Sequence, residues 1–226
     1  MIKFVLLDLD DTLFDFHAAE RAALRQALTE MGVAADDGVI ELYSRINAEH
    51  WKMLERGEMT REQILTGRFD ALYREMGVSC DSVKTQSIYE YRLSLEHPML
   101  DGAIEVLEEL SESFCLYAVS NGTAVVQDRR IADSGIGKYF RGIFISQRVG
   151  ADKPSREFFD YCFSHVEGFE RDAAIIVGDS QSSDILGGIN AGIRTCLLNP
   201  HGHAVRVVPD REIRSIRELP SLLKKL

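Results

Sequence analysis

Four polar segments carry residue types suited to the chemistry of anions. Asp8, Asp10 and Asp11 with Thr12 form DLDDT; Ser120, Asn121 and Gly122 form SNG; Lys153 lies in GADKP; Asp179 and Asp184 lie in GDSQSSD. Acids gathered at one place raise each other's pKa values unless a cation sits among them. A hard divalent ion with oxygen ligands removes that conflict, and Mg²⁺ is the usual choice where phosphate completes the shell. Metal, ammonium and hydroxyl would then cradle a phosphoryl group, whose transfer asks mainly for positioning and charge neutralisation. Each segment alone has an ordinary explanation. Asp or Ser after a strand commonly caps the next helix, Lys153 before Pro154 fits a solvated loop beside a helix-starting proline, and Asp184 suits a surface acid on its helix. Capping gives no reason for acids, hydroxyl and lysine to occupy four successive strand ends.

The elements that must position these residues are short apolar runs: Phe4 to Leu7, Phe114 to Val119, Gly142 to Ile145, Ala173 to Val177 and Thr195 to Leu198. Most are followed by a helical pattern, which indicates βαβ units and a parallel sheet covered on both faces. Ligands of such sheets bind outside the carboxyl ends of the strands. The interval from Asp15 to His97 breaks the alternation. Its apolar spacing predicts amphipathic helices over Ala18 to Met31, Ile40 to Leu54, Arg61 to Met76 and Ser87 to Leu95, with Gly32 and Gly77 as stops. A helix over Gly102 to Leu110 leads back to the second strand, and another is expected over Ser182 to Ala191. The expected fold class is α/β: a Rossmann-like parallel core, residues 1–14 plus 98–226, with an all-helical cap inserted at 15–97.

The chain has 226 residues, a net charge of −10, 45% hydrophobic and 27% charged residues, with a pI near 5.1. This is the composition of an ordinary globular protein. The acidity argues against a nucleic-acid polymer as partner, which would call for clustered Lys and Arg. The four cysteines (Cys80, Cys115, Cys162, Cys196) lie far apart without a metal-site spacing and read as reduced thiols. The segment MIKFVLLDLDD reads as neither a signal peptide nor a membrane span. A cytoplasmic protein with no membrane partner, monomeric or a small homo-oligomer, is expected.

With these motifs in place, the chain resembles the haloacid dehalogenase-like (HAD) hydrolases: DLDDT, Ser120, Lys153 and GDSQSSD fall in the order of that superfamily's four motifs, and the helical interval sits where its first type of cap (C1) belongs. The resemblance implies that Asp8 attacks phosphorus to form an aspartyl-phosphate and that Asp10 is the general acid and base. It also implies that Ser120, Asn121 and Lys153 hold phosphoryl oxygens. Mg²⁺ would be bound by the Asp8 carboxylate, the Asp10 backbone carbonyl and Asp179, with Asp184 as outer ligand or orienter of Lys153 and Thr12 positioning Asp10. The second acid, Asp10, points to phosphate rather than halide chemistry. Asp11 in place of the glycine frequent in this motif, together with SDILGGINAGIRTCLLN at 183–199, resembles the pyrimidine nucleoside 5'-monophosphatases. The implied substrate is therefore a small phosphorylated metabolite, with nucleoside 5'-monophosphates foremost. A sugar-phosphate mutase and a non-catalytic phosphorelay receiver are the alternatives. The aromatic and histidine residues Phe14, Phe16, His17, Tyr43, His50 and Trp51, and His201 with His203, stay outside the expected catalytic set.

Overall fold

A computed structural model describes all residues, Met1–Leu226. The chain divides into two compact units, Met1–Phe16 with His97–Leu226 and, separately, His17–Glu96. In chain order the elements are β1 (Phe4–Leu7), α1 (Phe16–Glu30), α2 (Asp37–Glu55), α3 (Arg61–Met76), α4 (Ser82–Leu95), α5 (Ala103–Ser111), β2 (Cys115–Ser120), α6 (Ala124–Ser134), β3 (Gly142–Ile145), α7 (Ser146–Val149), α8 (Arg156–Ser164), β4 (Ala174–Gly178), α9 (Leu186–Ala191), β5 (Arg194–Leu198), β6 (Arg211–Ile213) and α10 (Leu219–Leu223).

The first unit is built on one six-stranded sheet of order β3-β2-β1-β4-β5-β6, parallel throughout. The strand order reverses between β1 and β4, which makes their carboxyl ends the topological switch point. Register places Leu7 beside both Ala118 and Val177, so the next residue, Asp8, emerges between the ends of β2 and β4. Every residue of β1 is buried, and its side chains alternate between two cores. Val5 and Leu7 pack with Val106, Leu107 and Leu110 of α5, whereas Phe4 and Leu6 pack with Phe158, Phe159 and Cys162 of α8. A strand covered on both faces must be apolar along its whole length, which is why FVLL is legible as the central strand.

The structure departs from the sequence-based expectation in three places. Strand β6 was not foreseen, because Arg211–Ile213 is short and its first two residues are exposed. Helix α4 begins at Ser82, since the Asp81 side chain accepts from the Lys84 N–H at 3.0 Å and caps it earlier than Ser87. The expected helix over Ser182 to Ala191 opens instead as a wide π turn, Gln181–Ile185, before α9. Such turns break the regular i, i+4 ladder and occur frequently at functional sites.

The second unit consists of α1 to α4. Thr60 and Gln63 form a reciprocal capping box at the start of α3, and Asp36 caps α2 through the Val39 N–H. Its interior holds a buried polar chain: Arg68 donates to Asn47 at 2.7 Å and to Gln86 at 2.8 Å, and Asn47 donates to Glu20 at 2.6 Å. The rings of Tyr43, Phe69 and Tyr89 surround the Arg68 guanidinium. These aromatics are core of the unit, as their helical spacing suggests. No helix of the protein is long and apolar enough to cross a membrane.

Helix α9 packs against β4 and β5 through Gly188, where a Cβ would lie 2.6 Å from both Ile176 Cγ2 and Thr195 Cγ2. Gly188→Ala is expected to lower the unfolding free energy by about 1–2 kcal/mol, overpacking exceeding the alanine helix preference. A lower urea midpoint at unchanged slope would show this; an equal or higher midpoint would contradict it.

Candidate active site

The residues singled out in the sequence meet at the carboxyl edge of β1, β2 and β4. Asp8 follows β1 and is anchored by its own N–H to Val177 O at 3.0 Å. The loop after it turns tightly on buried Leu9 and Leu13: the Leu13 and Phe14 N–H groups both donate to Leu9 O. Asp11 sits in the left-handed region at φ 54°, a conformation that glycine, Asn and Asp tolerate best. Its carboxylate accepts from the Phe16 N–H at 3.0 Å, which holds the turn closed.

Lys153 is 1% exposed, and its ammonium donates to Asp8 Oδ1 at 2.7 Å, Asp184 Oδ1 at 2.6 Å and Val119 O at 3.0 Å. An ammonium has three protons, so all three are directed to protein oxygens. The other carboxylate oxygen of Asp184 accepts from the Ser180 N–H at 3.1 Å. Gly178 is required behind it, since a Cβ there would lie 2.1 Å from Asp184 Oδ2. Asn121, expected to hold phosphoryl oxygens, has its side-chain amide turned to the main chain of Lys153: Nδ2 donates to Lys153 O at 2.8 Å, and Oδ1 accepts from the Lys153 N–H at 2.9 Å. Both bonds hold the Lys153 backbone, which precedes a cis peptide bond to Pro154.

Ser120 is buried, and its Oγ accepts from the Gly122 N–H at 3.0 Å and from Gln127 Nε2 at 2.9 Å. Two accepted bonds fill both lone pairs, leaving the hydroxyl proton to donate. Asp10 does not bond to Thr12, whose buried hydroxyl has no hydrogen-bond partner. Instead Asp10 Oδ2 accepts from Gln127 Nε2 at 2.7 Å, and Oδ1 pairs with Arg130 Nη1. Gln127 and Arg130 were not singled out in the sequence. One signal was available: in α6 they share the buried stripe with Val126 and Ile131, where polar side chains need a reason to be.

A family model, haloacid dehalogenase-like hydrolase, matches residues 2–192. The chain belongs to the haloacid dehalogenase-like hydrolases. Among its relatives, the HAD-hydrolase YfnB of Bacillus subtilis is 36% identical, with 98% of this chain and 95% of that protein covered. The pyrimidine 5'-nucleotidase PynA of Streptococcus pneumoniae is also 36% identical, with 99% and 95% covered. The crystal structure of YfnB bound to magnesium superposes with a TM-score of 0.94 over 99% of each chain.

The electrostatics of this hydrolase's site favour a cation. Carboxylate oxygens of Asp8, Asp179 and Asp184 lie within 4.8 Å of one another, against the single positive charge of Lys153. Burial, aided by the charges of Asp184 and Asp10 and opposed by Lys153, pushes Asp8 up to about 8. Burial and the charges of Asp8 and Asp184 hold Asp179 well above the usual carboxylate range. Burial works against the Lys153 charge, yet Asp184 and Asp8 together outweigh it and raise its pKa. All-oxygen donors with unneutralised charge suit a hard divalent ion such as Mg²⁺.

These shifts set a pH dependence. A carboxyl whose folded pKa lies above its unfolded value of 3.8 holds its proton longer when folded, so its ionisation removes stability as pH rises from about 4 to about 8. A divalent cation such as Mg²⁺, if held by these carboxylates, would offset that loss. In thermal unfolding, the rise in midpoint caused by MgCl₂ over EDTA is expected to be larger at pH 8 than at pH 6. An equal or smaller rise at pH 8 would contradict the assignment.

Proposed function

We propose that this hydrolase is a Mg²⁺-dependent phosphatase of phosphate monoesters, working through an aspartyl-phosphate on Asp8. The observation that carries the reading is Asp8 itself: a carboxylate at the switch point, held through Oδ1 by a buried ammonium beside two further acids. Asp8, Asp179 and the Asp10 backbone carbonyl would hold the metal, with Asp184 behind them. When bound, Mg²⁺ supplies charge neutralisation for the acids and the phosphoryl oxygens.

The chain's own groups divide the remaining work. Asp8 attacks phosphorus in line while Asp10 gives a proton to the departing ester oxygen, so an alcohol leaves and an acyl phosphate forms. Water then attacks that phosphorus, Asp10 takes its proton, and Asp8 is released with inorganic phosphate. The Ser120 hydroxyl, aimed by its two accepted bonds, donates to a phosphoryl oxygen. Lys153 contributes charge: with its protons committed to Asp8, Asp184 and Val119 O, it keeps the nucleophile in place and offsets the incoming negative charge. The helical unit, His17–Glu96, would serve as the cap that selects substrate.

The substrate class proposed is a small phosphorylated metabolite, with pyrimidine nucleoside 5'-monophosphates foremost. PynA and YjjG, a 29% identical protein of Escherichia coli, both carry the name pyrimidine 5'-nucleotidase and are matched over almost their whole lengths. The proposal includes a cytoplasmic location, as a monomer or small homo-oligomer, with no membrane or nucleic-acid polymer as partner; the net charge of −10 fits the last of these.

Phosphate release from a panel of nucleoside 5'-monophosphates and sugar phosphates, with Mg²⁺ and with EDTA, tests the reading. Activity is expected with Mg²⁺ only, greatest on pyrimidine nucleotides, and reduced to background in Asp8→Asn. Undiminished hydrolysis by that variant would refute the nucleophile, and isomer interconversion without phosphate release would replace the phosphatase by a mutase.

A further inference from the structure

Helix α6 places a buried amide and a buried guanidinium against the acid-base residue. Gln127 is 1% exposed and Arg130 fully buried. Arg130 Nη1 pairs with Asp10 Oδ1 and also donates to Gln127 Oε1 at 3.0 Å. Its guanidinium lies 4.3 Å from the ring centroid of Phe14, and Phe14 is bridged to Asp10 along the backbone. Gln127 Nε2 divides its donation between Asp10 Oδ2 and Ser120 Oγ. A Cβ on Gly122 would lie 2.5 Å from that same nitrogen, so the loop after Ser120 is moulded on the amide.

Burying a guanidinium is costly unless it is paired, and apolar residues would fill the same stripe at lower cost. The pair's bonds converge on two groups that chemistry must orient. Each Asp10 oxygen receives one donor and keeps a second lone pair, which can carry the transferable proton. We propose that Gln127 and Arg130 are positioning residues for the reaction: together they fix the orientation of the Asp10 carboxylate and tie it to the Ser120 hydroxyl. The proposal rests on the phosphatase reading. In the step concerned, an Asp8 oxygen bonds to phosphorus, the ester P–O bond breaks with its electron pair going to the leaving oxygen, and the Asp10 proton moves to that oxygen. Gln127 and Arg130 act through Asp10 and Ser120, to which they donate, and neither gives nor takes the transferred proton or phosphoryl group.

Positioning of an acid shows itself through the leaving group. An alkoxide needs the Asp10 proton, whereas 4-nitrophenolate departs as a stable anion without it. Arg130→Met is therefore compared with the unaltered enzyme on 4-nitrophenyl phosphate and on the best alkyl monophosphate of the panel above. On the alkyl ester kcat/KM is expected to fall about 100-fold through kcat, with KM within about twofold; on the nitrophenyl ester it falls less than about threefold. Arg130→Lys, which restores a cation beside Asp10, should recover part of the alkyl activity. Gln127→Met frees Ser120 as well as Asp10, so it lowers both activities, the alkyl more.

Equal losses on the two esters, or no loss in Arg130→Met, would overturn the proposal. Circular dichroism reports folding; if Arg130→Met does not fold, Gln127→Met decides by the same comparison, equal losses again counting against it. An unaltered enzyme that hydrolyses no alkyl ester overturns the phosphatase reading and the proposal together. An active enzyme with unselective variants overturns the proposal alone.

Discussion

The ammonium of Lys153 sits almost wholly out of water and is bound to Asp8, Asp184 and the Val119 carbonyl. An ion pair so deeply buried is strongly destabilising if one partner is removed, because the other charge is left uncompensated. The surrounding architecture follows from keeping it whole. Asn121 grips the Lys153 main chain on both sides of the residue, the π turn brings Asp184 back under the end of β4, and Gly178 leaves room for its carboxylate. Three strands and two turns thus converge on one nitrogen atom.

One cation among three acids leaves the cluster short of positive charge. Burial, reinforced by the neighbouring acids, raises the pKa values of Asp8 and Asp179. Asp10 stands slightly apart, with a side chain 27% exposed and its own partners on α6. In the proposed mechanism Asp8 attacks as the anion and Asp10 exchanges protons, so two aspartates separated by one residue need different surroundings.

Much of this was legible in the sequence, because strand ends in a parallel sheet are marked by a change from apolar to polar and the motifs fall at those marks. FVLL, GIFI and the run through Val177 are strands for reasons of burial alone, and Asp8, Ser120, Lys153, Asp179 and Asp184 follow from them. Partners of side chains were less visible. Asn121 looks like a phosphate ligand by position, and only the fold turns its amide toward Lys153. Thr12 looks like a partner of Asp10, yet its hydroxyl is unpaired while a helix more than a hundred residues away in the chain supplies the partners. Spacing along a chain reports which residues share an edge; it is silent on which of several nearby donors wins an acceptor.

The strand order also bears on how the protein is made. Asp8 and Asp179 belong to neighbouring strands that are far apart in the chain, so the acid cluster cannot assemble until β4 has left the ribosome. The helical unit, His17–Glu96, is by contrast a continuous segment whose contacts are local and quick to form. During synthesis, β1 precedes both strands it pairs with, β2 and β4. Asp8 is made well before the partners it meets at the sheet edge, Lys153 lying 145 residues further along the chain, so the acid cluster stays incomplete until the rest of the sheet is in place.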